Sequence, residues 1–504
     1  MNEHYEKYKK FYDILTVLVL WAILYALCPS FDKTVNASHT AEGLTTLVLA
    51  IAIVAWLMPV FVGAFSAFAM FFTSPIFKKR WRKFKSLKRG YYSFLFIFIC
   101  FVFSFFAEFF INSNAIIVKY KGHYRFTLFS TLRAKDFGMK GFAAPNYRLM
   151  KKFYENKNKE RAERINNNKA TKEDLEYVEN KWGDDWVLLT IYPYGDVESL
   201  LDELPCRPPH PPTWNQREWS KSYFEEKKYI LPETRPSNET IINEYKHPEW
   251  VKYNDSKLYL YMAMEGYLKL KDDVMKPSGT HLLGTDDRGR DVFARMVYGF
   301  RISMAFALIV TFFSYIIGIS IGALLGYYGG KFDIIVQRIV EVWSAMPFLY
   351  TVMIVAAIVV PNFGMLAGIL VAFGWMGMTY YIRAEFLREK SKDYVAAARA
   401  IGCTDSTIIF KHILPNALTP VISFAPFAIV ANISSLVSLD FLGFGLPAPT
   451  ASWGELLGQG LANLEKPWLI LSPIIAFFVT LLLVSFIGEA IREAFDPKQY
   501  SRLR

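Results

Sequence analysis

Cysteine is scarce in this chain, with four residues among 504, and no two of them form a C-x-x-C pair. Such spacing provides neither a zinc site nor the cysteine framework of a small secreted domain. The sequence therefore predicts no metal site.

The chain also lacks the short motifs of nucleotide and zinc-protease chemistry. It has no G-x-x-x-x-G-K-[ST] phosphate loop, since GGKF at 329–332 is only a loop, and it has no H-E-x-x-H pattern. We therefore expect no catalytic residue and no cofactor in this chain.

Charged residues are rare inside the long apolar runs. Glu341, Asp440 and Glu489 lie near the ends of runs, and no series of carboxylates lies at mid-depth. A charge at the centre of a bilayer costs about 2.5–3.5 kcal/mol on insertion scales and is usually kept for function. The rarity of such charges argues against a proton- or sodium-coupled carrier and against a voltage sensor.

Apolar sequence is abundant instead. Hydrophobic residues make up 53% of the chain and are concentrated in runs that can cross a bilayer about 30 Å thick. We predict an all-α polytopic membrane protein of about eight transmembrane helices, with a mixed α+β extracytoplasmic domain inserted before the last five. The predicted spans are 12–28, 43–73, 91–111, 302–328, 335–360, 365–387, 418–444 and 468–490.

Basic residues predict the orientation of these spans. The segment KKRWRKFKSLKR (78–89) holds eight basic residues in twelve, and the connection 388–417 and the C-terminus are also basic. Because cytoplasmic loops carry the excess of Lys and Arg, we expect these segments and both termini in the cytoplasm. The formal net charge of +11 then reflects topology, with contacts to membrane lipids as a side effect and no nucleic-acid partner. The first run lacks an A-x-A cleavage site and is interpreted as a retained anchor.

The predicted spans divide the chain into regions. These are an N-terminal two-span region with a basic cytoplasmic loop (1–90), a third span (91–111), an extracytoplasmic domain (112–300), a five-span core (301–490) with a cytoplasmic loop (388–417), and a cytoplasmic tail (491–504).

Local patterns predict the elements of the extracytoplasmic domain. Alternating stretches at 116–126 and 186–194 indicate strands, and 151–182 indicates one or two exposed helices around an Asn-rich turn. The segment RDVFARMVYGFR (290–301) has apolar residues at helical spacing and predicts an amphipathic helix lying in the outer membrane interface.

A stripe of small residues lies in the fourth predicted span. Gly318, Gly322 and Gly326 are four residues apart, and Ser314 continues the stripe by one step. Such a stripe lets the backbone of another helix approach closely. The spacing favours internal packing and packing at a subunit interface equally.

The most unusual cytoplasmic segment is DYVAAARAIGCTDSTIIFKHILPN (393–416), which we call the elbow. Its alanines predict a short, slender helix with Asp393 as a plausible N-cap, and Gly402 suits the left-handed position that ends a helix. Thr404, Asp405 or Ser406 can cap a second helix. Because a helix this short is marginal alone, we expect it to gain order from a partner, whereas a plain solvated loop is the alternative.

Three further segments accompany the elbow: GTDDRGRDVFARMVYGFRIS (284–303), SLDFLGFGLPAPTASWGELL (438–457) and GEAIREAFDP (488–497). With the elbow they cover about residues 281–498, and together they resemble permease subunits of bacterial ABC importers of the dipeptide and oligopeptide type. KRGYYSFLFIFICFVFSFFAEFF (88–110), KDFGMKGFAAPNY (135–147) and EVWSAMPFLY (341–350) are most similar to the second permease subunit of microcin C-type oligopeptide importers.

The resemblance implies a type I importer permease core in the bacterial inner membrane. It implies a second homologous permease, two ATPase domains that hold ATP and Mg²⁺, and a periplasmic solute-binding protein that delivers a peptide substrate. It also implies an ATPase-coupling role for part of the elbow. The matching segment is Asp393, Tyr394, Val395, Ala396, Ala397, Ala398, Arg399, Ala400, Ile401, Gly402 and Cys403, and the matching end of the motif is His412, Leu414, Pro415 and Asn416.

The chain departs from the family pattern at three places. Ala396 stands where the family motif has a glutamate, so a salt bridge from that position to the ATPase is not available. Two extra spans precede the usual first span, and residues 214–279 look like an insertion. An alternative function is a membrane sensor or structural protein that binds a ligand with its outer region without transport.

Overall fold

The computed structural model of the chain describes residues 75–128, 132–139, 144–201, 208–213 and 281–495. The first two predicted spans, the segment 214–279 and most of the C-terminal tail lie outside the described residues.

Helices form most of the described part. In chain order they are α1 (Pro75–Ser86), α2 (Lys88–Phe105), α3 (Ala107–Phe110), α4 (Tyr147–Asn166), α5 (Lys172–Glu179), α6 (Val292–Tyr328), α7 (Gly330–Ser344), α8 (Phe348–Ile358), α9 (Phe363–Lys390), α10 (Asp393–Ala400), α11 (Asp405–Thr407), α12 (Leu414–Phe441), α13 (Trp453–Ala462) and α14 (Pro467–Phe495). The strands are β1 (Ile117–Tyr120), β2 (His123–Phe126) and β3 (Trp186–Leu188). A 3₁₀ turn spans Ala134–Phe137, and a π-helical turn spans Ile408–Ile413.

Among these helices, α2, α6, α9, α14 and the 421–441 part of α12 are long and apolar enough to cross a membrane. They coincide with five of the predicted spans. The predicted span 335–360 is instead a pair, α7 and α8, bent by 70°. The break lies at Pro347, the N-cap of α8, because proline has no N–H and disfavours helical geometry in the residue before it.

The segment 290–301 differs from the expected separate helix. It is the first part of α6, which runs without interruption for 37 residues. Asp291 is the N-cap, and its Oδ1 accepts a hydrogen bond from the Ala294 N–H at 2.8 Å. Arg295 is not one of the apolar residues of this segment and yet is fully buried.

The basic segment 78–89 is helical rather than a loop. It forms most of α1 and the start of α2, and α1 packs on the end of α14. Lys83 Nζ donates to the carbonyl of Glu493 at 3.1 Å, and the guanidinium of Arg80 lies 5.0 Å from the ring centre of Phe495. Phe84 of α1 is buried and belongs to the same hydrophobic cluster as Phe495.

The glycine stripe of α6 packs against α9 of the same chain. A Cβ at Gly318 would lie 2.6 Å from the Trp375 carbonyl oxygen, and one at Gly322 would lie 2.6 Å from the Thr379 carbonyl oxygen. At Gly326 it would lie 2.5 Å from the Cβ of Phe386. The two backbones are therefore in direct contact, and of the two interpretations left open by the spacing, the described residues support internal packing.

A small α+β unit lies between α3 and α6. Its sheet has the order β2-β1-β3 with antiparallel pairing. The predicted stretch 116–126 forms the hairpin of β1 and β2, whereas only Trp186–Leu188 of the predicted stretch 186–194 is a strand. The predicted exposed helices are α4 and α5, joined at an Asn-rich turn. The sheet is tied to the end of the preceding span, because the Tyr192 N–H donates to the Phe110 carbonyl at 2.8 Å.

Candidate coupling site

The first helix of the elbow, α10, begins at Asp393, one residue earlier than the sequence suggests. Lys392 is the N-cap and its side chain makes no capping bond, so the assignment of Asp393 as N-cap is wrong. Asp393 lies in the first turn, where a carboxylate interacts favourably with the positive end of the helix dipole.

Gly402 ends α10 in the predicted left-handed conformation, with φ of +80°. The Gly402 N–H donates to the Arg399 carbonyl at 2.9 Å, and the Cys403 N–H donates to the Ala398 carbonyl at 3.1 Å. These two bonds form a Schellman motif, which satisfies carbonyls at the helix end. Thr404 then caps the next helix by accepting from the Thr407 N–H at 3.4 Å.

One face of the elbow is buried against the long helices. Val395 is fully buried and Ala398 nearly so, and both belong to a cluster with Ile382 and Phe386 of α9. Further members of this cluster are Ala323, Tyr327, Met378, Ile408, Ile409, Ile413, Leu414, Ala417 and Val421. Ile409 and Ile413 of the π-helical turn are therefore part of the anchor of the elbow.

The opposite face is open and carries little side-chain bulk. Ala396, Ala397, Ala400 and Gly402 are exposed, and the large side chain of Ile401 is 79% exposed. Within α10, the exposed charges are Asp393 and Arg399. A surface of this kind offers another protein shape and apolar contact more than hydrogen bonds.

A buried carboxylate joins the elbow to α9. Glu389 accepts hydrogen bonds from Lys392 Nζ at 2.7 Å and from the Tyr394 hydroxyl at 2.8 Å. Asn416 Nδ2 donates to the same hydroxyl at 3.4 Å, which links both ends of the elbow. Burial raises the pKa of Tyr394, with Glu389 adding to the effect, so this hydroxyl remains a donor at neutral pH.

A second link joins the elbow to the end of α6. The hydroxyl of Tyr327 donates to Asp405 Oδ1 at 2.5 Å, and the guanidinium of Arg399 lies 5.5 Å from the centre of the Tyr327 ring. Lys390 Nζ donates to the carbonyl of Tyr327 at 2.5 Å. Tyr327 and Glu389 were not predicted from the sequence, because both precede the motif: Tyr327 lies in a predicted span and Glu389 in the loop just before the elbow.

The end of the motif lies where the π-helical turn meets α12. Asn416 Nδ2 also donates to the carbonyl of His412 at 3.1 Å, and Leu414 and Pro415 are the first two residues of α12. Proline is tolerated here because the first N–H groups of a helix have no intrahelical partner. Across the described ranges, no three His, Cys, Asp or Glu side chains are grouped to hold a metal ion.

A cluster of buried charges lies at the other end of α6, and sequence analysis did not recognise it. Arg290 Nε donates to Asp286 Oδ2 at 2.7 Å, and Arg290 Nη2 donates to Glu455 Oε1 at 3.0 Å. Arg295 Nη2 also donates to Glu455, and its Nε lies 3.6 Å from Asp286. Burial alone would lower the pKa of Arg290, but Asp286 and Glu455 raise it above its usual value. We call these four residues the outer charge cluster.

A second buried group holds the N-cap of α6. Asp291 Oδ2 accepts from the Tyr192 hydroxyl at 2.7 Å and lies 2.7 Å from His281 Nδ1. The α+β unit and the start of α6 are thus joined through side chains as well as through backbone.

The stripe on α6 also matches the G-x-S-x-G hydrolase pattern by spacing, at Gly318, Ser320 and Gly322. A nucleophilic serine of that kind sits on a sharp turn between strand and helix. Ser320 lies inside a continuous helix, and its hydroxyl donates to the Ile316 carbonyl at 2.7 Å. The match carries no catalytic meaning.

Comparison with known proteins identifies the family of the chain. Residues 318–499 match the family described as binding-protein-dependent transport system inner membrane component. The peptidoglycan transport system permease protein YejE of Agrobacterium fabrum is 35% identical over 85% of this chain and 95% of its own length. The inner membrane ABC transporter permease protein YejE of Escherichia coli is 34% identical over 84% of this chain and 98% of its own length. The oligopeptide transport system permease protein OppC of Haemophilus influenzae is 37% identical over 44% of this chain and 71% of its own length. As its motifs predicted, the chain therefore belongs to the inner-membrane permease subunits of binding-protein-dependent ABC transporters.

Proposed function

We propose that this chain is a permease subunit of an ATP-driven importer of oligopeptides or peptide-like compounds, and that the elbow couples it to partner ATPases. The observation that carries the proposal is the two-sided elbow. Its inner face is packed on α6 and α9, while its outer face, including Ile401 at 79% exposure, is open to a partner.

The complete transporter would contain a second homologous permease, two ATPase domains with ATP and Mg²⁺, and a solute-binding protein. The elbow and both chain termini would lie in the cytoplasm, and the α+β unit would lie on the outer side. Relatives named as peptidoglycan, dipeptide and oligopeptide transport permeases support a peptide or peptide-like substrate for this chain as well.

The contacts suggest how the elbow would transmit movement. Glu389 and Tyr394 tie it to α9, and Asp405 ties it to Tyr327 of α6. The backbones of α6 and α9 are themselves in contact along the glycine stripe. A displacement of the elbow by the ATPases would therefore move α6 and α9 together and open the conduit to one side of the membrane.

Ala396 affects how the ATPase would be held. This residue is exposed on the outer face of α10, where the family motif has a glutamate. Since the side chain of alanine forms no ion pair, attachment to the ATPase would depend on the close fit of a slender helix and on burial of Ile401.

Substitution of Gly402 by valine tests the coupling role. A φ of +80° is unfavourable for a β-branched residue, and we expect α10 to end in a different direction. A Cβ at this position would meet nothing within 4 Å, so the subunit itself should still insert and assemble. ATP hydrolysis by the reconstituted transporter should continue, while peptide uptake per ATP hydrolysed falls at least tenfold.

Gly443 provides the matched control. It also has a positive φ, of +81°, and it has nothing within 4 Å of its Cβ position, but it follows the opposite end of α12. Gly443→Val should introduce the same backbone strain and leave uptake per ATP unchanged. Normal coupling in Gly402→Val, or equal loss in both variants, would contradict the coupling role.

A further inference from the structure

The two faces of the three-stranded sheet differ in what covers them. Side chains alternate between faces along each strand. On one face Val118 and Val187 are buried, and they pack in one cluster with Met150 and Tyr154 of α4. This face is the core of the α+β unit.

The register brings aromatic and apolar side chains together on the opposite face. Two rows cross all three strands, and we call them together the aromatic face: Phe126–Ile117–Leu188 and Tyr124–Lys119–Trp186. Tyr124 is 68% exposed, Leu188 47% and Trp186 38%.

The side chains of the row Tyr124–Lys119–Trp186 have a defined arrangement. The rings of Tyr124 and Trp186 come from strands on either side of β1, and their centres are 6.1 Å apart in an edge-to-face contact. Lys119 lies between them on β1, with Nζ 5.9 Å from the centre of the Tyr124 ring. Exposed apolar groups gathered in this way mark interaction surfaces, and Tyr and Trp are enriched among residues that dominate protein–protein affinity.

The length of chain between the preceding span and the aromatic face is sufficient for a partner in the aqueous phase. The backbone of Tyr192 bonds to Phe110 at the end of α3, and Trp186 lies six residues earlier on the same chain. At about 3.3 Å per residue, that length reaches up to about 20 Å beyond the end of the span. The polar layer of a bilayer is only about 5–8 Å thick on each side. The chain is thus long enough to hold the Tyr124–Trp186 row above the lipid head groups.

The charge on the aromatic face specifies the partner further. Lys119 is the single charged residue among the six residues of the two rows. We propose that the aromatic face is the docking site of the solute-binding protein, and that the matching surface of that protein is apolar with a carboxylate opposite Lys119. This inference rests on the proposed function, since it names where the delivering partner binds.

The test uses the complete transporter, with both permeases and ATPases, in lipid nanodiscs. ATP hydrolysis is measured against the concentration of purified solute-binding protein. Replacing Tyr124 and Trp186 together by serine should raise the half-stimulating concentration at least tenfold and leave the maximal rate unchanged. Lys119→Glu should raise it about three- to tenfold, and less at high salt because screening weakens the repulsion.

Two exposed apolar residues on α5 give the matched control. Leu175 and Val178 are 56% and 59% exposed, and their joint replacement by serine should leave the half-stimulating concentration unchanged. If wild type is stimulated and the Tyr124 and Trp186 variant behaves like this control, the docking site is wrong while the proposed function stands. If the solute-binding protein does not stimulate wild type, the proposed function fails and the docking site fails with it.

Photocrosslinking identifies what covers the face directly. A benzoylphenylalanine at position 124 of the complete transporter should crosslink to added solute-binding protein, and one at position 175 should not. Crosslinks from position 124 only to the second permease, to lipid or to another segment of this chain would overturn the docking site.

Discussion

Arg295→Ala is expected to destabilise the subunit by about 3–5 kcal/mol, which is the usual cost of leaving a buried charge without its partner. Arg295 is fully buried and pairs with Glu455, while its Nη1 donates to the carbonyl of Asp196 at 3.0 Å. Its removal leaves the outer charge cluster with two carboxylates and one guanidinium. The measurement is the unfolding midpoint of the purified complex in detergent, together with the yield of folded complex.

An exposed pair of the same chemistry serves as control. Arg338 donates to Glu341 at 2.6 Å, but its side chain is 77% exposed. Arg338→Ala should cost no more than about 1 kcal/mol, because exposed ion pairs contribute little. The double variant Arg295→Met and Glu455→Gln should lose much less stability than Arg295→Ala, because it leaves Asp286 and Arg290 as one buried pair of opposite charges. Equal losses for Arg295→Ala and Arg338→Ala would refute the assignment of the cluster.

Gly322→Ala is expected to destabilise the subunit by about 1–3 kcal/mol, as overpacking of a close contact usually does. The added Cβ would lie 2.6 Å from the Thr379 carbonyl oxygen and 2.9 Å from the Cβ of Ile382, so α6 and α9 would have to separate. Gly322→Leu, with a larger side chain, should prevent recovery of folded subunit. Because both helices hold the elbow, Gly322→Ala should also lower uptake per ATP hydrolysed.

Replacing Gly377 by alanine should change the stability of the subunit in the opposite direction. Gly377 lies inside α9, and a Cβ there would meet nothing within 4 Å. Gly377→Ala should stabilise the helix by about 0.5–1 kcal/mol, because alanine loses less backbone freedom than glycine. Each variant adds one methyl group to the wild-type chain. A destabilisation of equal size in both would show that close packing at Gly322 is not the cause of the lost stability.

The elbow was predictable because its signals are local. A glycine that follows a run of alanines indicates a helix end, and the observed φ of +80° at Gly402 follows from chain sterics at that one residue. The N-cap was misplaced by one residue, because Lys392 supplies no side-chain bond and Asp393 is the nearer capping residue type. Five of the six spans predicted within the described part are long apolar helices, as composition indicates, whereas the sixth is bent by 70° between α7 and α8 at one proline inside an apolar run.

The charged contacts were not predictable in the same way. Arg290 and Arg295 have the spacing of a water-facing helix surface, and spacing alone does not distinguish water from a buried carboxylate. The carboxylate that binds Arg295 lies 160 residues later in the sequence. The aromatic face was also not predictable from the sequence. Its rows depend on the register between β1 and the strands on both sides of it.

The outer charge cluster also has a consequence for biosynthesis. Asp286, Arg290 and Arg295 emerge from the ribosome together, with one positive charge in excess, and Glu455 emerges 160 residues after Arg295. At about 5–20 residues per second, the two arginines wait roughly 10–30 s for their second carboxylate. During that interval α9 and the elbow are synthesised, while the start of α6 is held by one carboxylate instead of two. The end of this subunit that carries the elbow can therefore be completed before the end that carries the charge cluster.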